Sequence, residues 1–378
     1  MVILVLLTVI SPYTTIIPVI YMTYMVLFRK VSIYKNYWNI GLCLLFIWAL
    51  IVGVINYSFT SIATSFALFM YLCVSVFIQN YCENENNIEK FYMYLVYFSL
   101  FSAVFGIIEK AIYVYFKFNI WSKFLRITSQ PVVNNRIYST FGNPNVAGNW
   151  FAIMIIVGLY FCTSTVRTKK IFYQTSTLLF VIALYLTGSR GAFIGLLFGL
   201  FIFYLLKGNK KDMWLFITIF ILTVVVTFMP PAILKNVTGH DFDESFISRL
   251  GIWKGCLKMI QIKPFTGWGL MGITEHGADF MKGYYYSTLY HGHNIWITIT
   301  STLGVVGLCV YTYMKINLFQ SLKILHSRDC RLVPMLAGIQ AVIIGHGLVD
   351  FTMIAPQTGL LFIASCAIIS SLVIENNN

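Results

Sequence analysis

The chain has 378 residues, of which 58% are hydrophobic and only 10% charged, where an ordinary soluble domain carries about 25% charged residues. Its net charge of +13 is not accompanied by a zinc knuckle, a Walker loop or an aromatic RNA platform, so no nucleic-acid partner is expected; the basic residues read first as orienting charges and as contacts to anionic lipids or phosphates. The eight cysteines fall mostly inside apolar runs (Cys43, Cys73, Cys162, Cys309, Cys366) and read as small packing residues rather than a disulfide framework.

Repeated apolar runs are each long enough to cross a hydrocarbon core of about 30 Å. They predict an all-α polytopic membrane protein, one integral membrane unit over residues 1–378, with about 11 (10–12) transmembrane helices and a large helical extracytoplasmic loop. In chain order the expected spans are 2–28, 38–56, 58–79, 91–108, 146–163, 171–187, 191–206, 213–229, 294–314, 332–349 and 353–374. The first lacks a small-residue cleavage site and is expected to be retained, although Pro12 and Pro18 also allow a re-entrant start. Lys and Arg clusters mark the cytoplasmic side: Arg29-Lys30 with Lys35, Arg167 with Lys169-Lys170, Lys207 with Lys210-Lys211, and Lys315 to Arg331. The N-terminus is then outside and the C-terminus inside, and two long segments face outward, residues 109–145 and 230–293. No internal repeat or inverted symmetry is visible.

The first outer segment ends in NNRIYSTFGNPNVAG, where Arg136 faces outward and Asn143-Pro144-Asn145 caps the next span. Next comes ALYLTGSRGAFIGLLFG, with Arg190 amid an apolar run between Lys170 and Lys207. Both flanking clusters are cytoplasmic, so the run must go out and return, with Gly188-Ser189-Arg190-Gly191 as the hairpin turn and Arg190 at the outer face rather than in lipid. In the large loop, Ser245–Gln261 has helical periodicity with Phe246, Leu250, Trp253, Leu257 and Ile260 on one face. Arg249 projects on the apolar side and there needs an anionic partner, unless it snorkels over headgroups. The loop closes on YHGHNIW. His-x-His can be half a metal site, but nothing nearby is expected to offer the Cys, Asp or Glu partners that zinc would want, which leaves structural histidines or a general base. Asp350 lies at the outer end of its span, one helical turn after His346; an ionisable residue there is a functional candidate or an ion pair that pins helices.

Arginines 136, 190 and 249 all face outward, and a guanidinium grips phosphate through a planar fork. Together with a histidine they suggest a site for a lipid-linked diphosphate. FGNPNVAG (141–148), LTGSRGAFIG (186–195), SRLGIWKGCLKMIQIKPFTGWG (248–269), HGHNIWITITSTLGVVG (291–307) and GLVD (347–350) resemble, in order and spacing, the O-antigen ligase and polymerase family of bacterial polysaccharide assembly. The resemblance covers about residues 130–355. It implies a helical glycosyltransferase of the C-type fold in the bacterial cytoplasmic membrane, acting on its extracytoplasmic face without metal, cofactor or nucleotide sugar.

The donor it implies is an undecaprenyl-diphosphate-linked oligosaccharide, and the acceptor is a glycan or lipid-linked hydroxyl. Flippase and chain-length regulator proteins are possible partners beside membrane lipids. By the same resemblance His293 is the catalytic base, Arg190 and Arg249 grip the diphosphate, and Asp350 orients His293 or pairs an arginine. Arg136, His291, Asn143 and Asn145 are assigned to substrate binding. The aromatic run Gly283–Tyr290 could stack sugars, or anchor at the interface. A polymerase of repeat units is the expected activity, with a ligase that moves finished glycan to lipid A core as the alternative. A lipid-linked oligosaccharide flippase and a non-catalytic scaffold are the rivals outside the enzyme class.

Overall fold

A computed structural model describes residues 1–29, 31–118, 136–164, 167–208, 244–281 and 289–375. Thirteen α-helices are seen among them: α1 Val2–Ile10, α2 Ile16–Phe28, α3 Tyr37–Ile55, α4 Phe59–Tyr81, α5 Glu85–Phe116, α6 Pro144–Ser164, α7 Arg167–Thr187, α8 Arg190–Leu206, α9 Glu244–Ile262, α10 Gly272–Phe280, α11 Ile295–Ser327, α12 Val333–Gly347 and α13 Pro356–Glu375. The protein is an all-helical polytopic membrane protein. Seven of these helices are long and apolar enough to cross a bilayer, and α2, α8 and α12 are shorter apolar helices. The expected span 213–229, most of the outer segment before Arg136, and all but the last two residues of the aromatic run 283–290 lie outside the described residues.

Apolar composition makes these segments helical without dictating where they begin; short polar side chains do that. Asn36, Ser58, Asn84 and Asn294 each accept a bond from the backbone N–H three residues on, capping α3, α4, α5 and α11. The first expected span is not one helix. It breaks between Ile10 and Ile16, and the Thr14 and Thr15 hydroxyls donate back to the carbonyls of Leu7 and Thr8.

Two spans are longer than their apolar runs. α5 begins at Glu85, whose carboxylate meets Arg331 Nε at 2.8 Å, while Glu89 accepts from Tyr160 Oη at 2.5 Å. α11 continues to Ser327 and buries Lys315, which donates to Gln340 Oε1 at 2.8 Å and lies 5.0 Å from the Phe362 ring centroid. Lys315 is therefore not the head of a solvated basic cluster, because a neutral amide and an aromatic face shelter its ammonium inside the bundle.

Three devices position the site. The most extensive helix pairing is α8 on α12. A Cβ at Gly191, Gly195 or Gly199 would come within 2.7 Å of Val349 Cγ2, 2.6 Å of Val342 O and 2.4 Å of Val342 Cγ2 respectively, so only this small-residue stripe lets α12 lie so close. The turn between α7 and α8 is correspondingly tighter than expected. Gly188 and Ser189 make the reversal, Arg190 already opens α8, and Gly191 belongs to the packing stripe.

The second device is α6, which is buried around almost its whole length beneath α7, α8 and α12. The third is a break in α11 at Gly304 (φ 68°, ψ −171°). The carbonyls that this break removes from the helical ladder are taken up by other groups: Trp268 N donates to Ser301 O, Gly269 N to Thr302 O and Trp48 Nε1 to Leu303 O. The chain between α9 and α10 is thereby docked against the start of α11.

Candidate active site

The end of α12, the start of α11 and the start of α6 deliver three polar side chains to one point. Asp350 is buried, its backbone N–H still bonded to His346 O at 3.0 Å as though α12 ran one turn further. Its Oδ1 lies 3.0 Å from His293 Nδ1 and accepts from Phe351 N at 2.8 Å. Its Oδ2 accepts from Asn145 Nδ2 at 2.7 Å. His291 Nε2 stands 3.9 Å from Oδ1. Burial alone would raise the Asp350 carboxyl, but the facing imidazoles of His293, His291 and His346 and the hydrogen bond from His293 hold it well below the ordinary carboxylate range. An ionised Asp350 accepts from Nδ1–H of His293, which leaves Nε2 of that ring with its lone pair. The tautomer follows from the hydrogen-bond network.

His293 has a left-handed backbone (φ 48°), a conformation that costs a residue other than glycine about 1–3 kcal/mol when held. The surroundings enforce it. Trp253 Nε1 donates to His293 O at 3.3 Å, His293 N donates to His291 Nδ1 at 3.2 Å, and Asn294 caps α11 while donating to Leu348 O at 2.8 Å. Trp253 and Arg249 stand four residues apart in α9, so the helix that carries the arginine also grips the histidine. Burial pushes the His291 imidazole down to about 3, helped by His293 and Arg249 and opposed by Asp350, so His291 is a neutral acceptor for its neighbour's backbone.

The arginines gather around this pair. Arg136 Nε donates to Thr187 O at 2.6 Å and Nη2 donates to Asn145 Oδ1 at 2.7 Å, so Arg136 reaches Asp350 through Asn145 rather than directly. Burial lowers the Arg136 guanidinium from its ordinary value; Tyr138 and Asp350 oppose that, and Arg249 and Arg190 add to it. These mutual effects place all three cations in one electrostatic neighbourhood. Arg190 is the exposed first residue of α8, and the starts of α6, α8 and α11 all lie at this end of the bundle, adding their positive helix ends to it. Such a neighbourhood favours a polyanion.

Known proteins bear on this arrangement. Residues 175–312 match the family model described as O-antigen ligase. This stretch contains Arg190, Arg249, His291 and His293. Over it, the chain is similar to the O-antigen ligase family. Beyond that match, a protein of Rickettsia typhi named "Putative polysaccharide ligase" is 31% identical over 36% of this chain and 39% of its own length. A namesake in Rickettsia prowazekii is 30% identical over 37% and 39%, and one in Rickettsia conorii is 26% identical over 52% and 48%. The chain thus spans less than half the length of these relatives.

The matched segment contains two of the arginines and His293, while Arg136, Asn145 and Asp350, which complete the polar chain, come from outside it. Of the residues singled out in the sequence, Asn143 alone takes a local role: its Oδ1 accepts from Asn145 N at 2.8 Å and its carbonyl accepts from Ala147 N, shaping the start of α6. The packing of α9 differs from expectation. Ile252, Cys256 and Met259 make its inner face with Ile273 and Met281, whereas Leu250 and Leu257 are exposed. Arg249 is in register with that inner face, and so points where the site is.

The expectation that the two histidines lack a nearby acid is also corrected. Asp350, 57 residues on from His293, brings its carboxylate within 4.8 Å of both ring donor atoms. The set nonetheless fits a divalent cation poorly, because both Asp350 oxygens already accept protein N–H groups and Arg136 adds positive charge to the same neighbourhood.

Two residues were missed or underused. Glu109 is buried at the far end of α5 and accepts from the backbone N–H groups of Tyr138 and Ser139 at 3.0 and 2.8 Å, fixing the segment that presents Arg136. An acid at the end of an apolar run is the signal that points to it. His346 is buried beside Gly191 and Gly195, with Nδ1 3.5 Å from Thr352 Oγ1, which in turn accepts from Asn149 Nδ2.

Proposed function

We propose that the protein transfers a glycan from an undecaprenyl-diphosphate-linked donor to an acceptor hydroxyl at the outer face of the bacterial cytoplasmic membrane, with inversion at the anomeric carbon. The observation that carries this reading is the His293–Asp350 contact in the electrostatic neighbourhood of Arg136, Arg190 and Arg249, with Nε2 of the histidine left to accept a proton. The acceptor oxygen attacks the anomeric carbon as the bond to the diphosphate oxygen breaks. His293 Nε2 takes the hydroxyl proton, and the electron pair leaves with the diphosphate. Arg190 and Arg249 stabilise the charge that grows there, so a good leaving group needs no general acid. Asp350 orients His293 and steadies the imidazolium, while Asn145 and Arg136 keep Asp350 in place.

The acceptor in the first reading is another lipid-linked repeat unit, which makes the protein a polysaccharide polymerase. A ligase that joins finished glycan to lipid A core or another acceptor is the second reading, favoured by the names of the relatives. Purified protein incubated with a synthetic lipid-diphosphate oligosaccharide, with and without an added core acceptor, tests both. A ladder of products supports polymerisation, a single transfer to the added core supports ligation, and no transfer to either overturns the enzyme reading.

A further inference from the structure

Glu109 is a buried carboxylate to which the transfer reaction gives no part. It is 3% exposed, and its oxygens serve the backbone of another segment. Oε2 accepts from Tyr138 N at 3.0 Å and from Ser139 N at 2.8 Å, and Oε1 lies 3.2 Å from Tyr138 N. Ser139 has a left-handed backbone (φ 53°), which a residue other than glycine keeps only when its surroundings hold it. Here Glu109 takes its N–H, and its own Oγ donates to Ser102 O at 2.6 Å. Ile137 N donates to Leu186 O at 3.1 Å, so residues 137–139 are pinned between α5 and the end of α7. The fit is close: a Cβ at Gly106 would come within 2.8 Å of Ile137 Cδ1 and 3.2 Å of Ser139 Cβ.

What this clamp fixes is the root of Arg136. Arg136 spends Nε on Thr187 O at 2.6 Å and Nη2 on Asn145 Oδ1 at 2.7 Å. The second bond decides which way the Asn145 amide faces. With Oδ1 occupied by the guanidinium, Nδ2 is turned to Asp350 Oδ2 at 2.7 Å; the reverse orientation would set an amide oxygen against a carboxylate. Held in that way, Asp350 presents Oδ1 to His293 Nδ1 at 3.0 Å.

We propose that Glu109 is a positioning residue for the base, and that Gly106 gives it the room to act. Through the Tyr138–Ser139 backbone, Arg136 and Asn145, it sets the carboxylate that keeps the proton of His293 on Nδ1. The proposal rests on the transfer reading above and deepens it: Arg136 serves the base, and the diphosphate is left to Arg190 and Arg249. A misplacement of about 1 Å at a catalytic group, caused by a change far from the chemistry, can cost about 10²-fold, and one lost hydrogen bond to a charged group about tenfold. Disturbing the clamp should therefore slow transfer about 10- to 10²-fold while leaving the donor bound.

Three variants of the full chain test it. Glu109→Met removes both acceptors at nearly constant size. Glu109→Gln keeps one oxygen where Oε2 receives both amides, and Gly106→Val wedges the segment off α5 without deleting a polar group. With a synthetic lipid-diphosphate oligosaccharide and rates counted per bound donor, Glu109→Met and Gly106→Val should lose about 10- to 10²-fold in kcat at unchanged donor KM, and Glu109→Gln should keep most of the rate. A loss of stability alone lowers the number of donor-binding sites and leaves kcat per site unmoved. Spectra of ¹⁵N-histidine-labelled protein, with His293 assigned by its absence in His293→Gln, read the same clamp without turnover. The wild-type ring should carry its proton on Nδ1, and both slow variants should shift it towards the Nε2–H form. A wild type that transfers nothing counts against the reaction, and the ring signal then decides the clamp by itself. An unmoved ring signal in a folded Glu109→Met or Gly106→Val overturns the proposal, as does wild-type kcat in either. A raised donor KM at unchanged kcat, or a Glu109→Gln as slow as Glu109→Met, overturns it as well.

Discussion

Replacing Asp350 by asparagine changes one atom and should disable the base without emptying the site. The wild-type carboxylate accepts from three donors: His293 Nδ1 at 3.0 Å, Asn145 Nδ2 at 2.7 Å and Phe351 N at 2.8 Å. An amide cannot do so. With its NH₂ towards His293, it forces Nδ1 of the ring to accept, puts the proton on Nε2, and removes the lone pair that would receive the acceptor's proton. In that orientation Phe351 N–H also loses its acceptor, at a cost of about 1–3 kcal/mol.

With the NH₂ towards Asn145, two donors face each other. Asn145 must then turn, and it gives up its 2.7 Å bond from Arg136. The first orientation removes general-base catalysis, typically worth about 10²–10⁴-fold, or about 3–5 kcal/mol of barrier. The second keeps the base but loses the anion that steadies it. Asp350→Asn should therefore slow single-turnover glycan transfer from a lipid-diphosphate donor by at least about 10²-fold, with donor binding retained. His293→Ala should lose about as much, and the double variant little more than either alone, because residues acting as a unit are not additive. Wild-type turnover in Asp350→Asn, at normal abundance and thermal stability, would refute the argument, and so would strictly multiplicative losses in the double variant.

Arg190→Ala and Arg249→Ala should each nearly abolish transfer, and the lysine variants should retain part of it, since lysine keeps the charge and loses the planar fork; wild-type rates in both alanine variants would sink the diphosphate assignment. In a chain freed of its eight native cysteines, Arg190→Cys should react with an impermeant thiol reagent on intact cells while Lys169→Cys reacts only after lysis; the reverse pattern would invert the topology. His291 sits near 3 in the folded protein and near its ordinary value of about 6.5 when unfolded, so the unfolded state binds the extra proton between those values. Its contribution is thus lost as pH falls from about 6.5 towards 3; urea titrations should show stability dropping across that window, and His291→Gln should flatten the drop, an unchanged slope counting against the burial of this ring.

The helical membrane architecture was legible because it depends on composition along one stretch at a time, and for the same reason the α7–α8 hairpin and the α9 helix were found nearly to the residue. What escaped depends on groups brought together from far apart. Gly304 is one small residue in an apolar run, and nothing local announces that Trp48, Trp268 and Gly269 will satisfy the carbonyls its break exposes. Lys315 looked cytoplasmic because its acceptor, Gln340, sits on the next helix.

The site divides along the same line. Arg190, Arg249, His293 and Asp350 stood out because each is expensive in or beside lipid, and a costly residue draws notice from its own neighbourhood alone. The order among them is a property of pairs: Asp350 addresses His293 and Asn145, and Arg136 addresses Asn145 and the carbonyl of Thr187. Glu109 shows the same division, since its acidity is visible in the chain while its role is visible only in the two backbone amides that it receives from the segment beyond. In the proposed reaction, a cationic site that keeps a neutral imidazole as base needs one anion, fixed by donors other than a guanidinium. Asp350, held by an amide, an imidazole and a backbone N–H rather than by a direct arginine pair, meets that requirement.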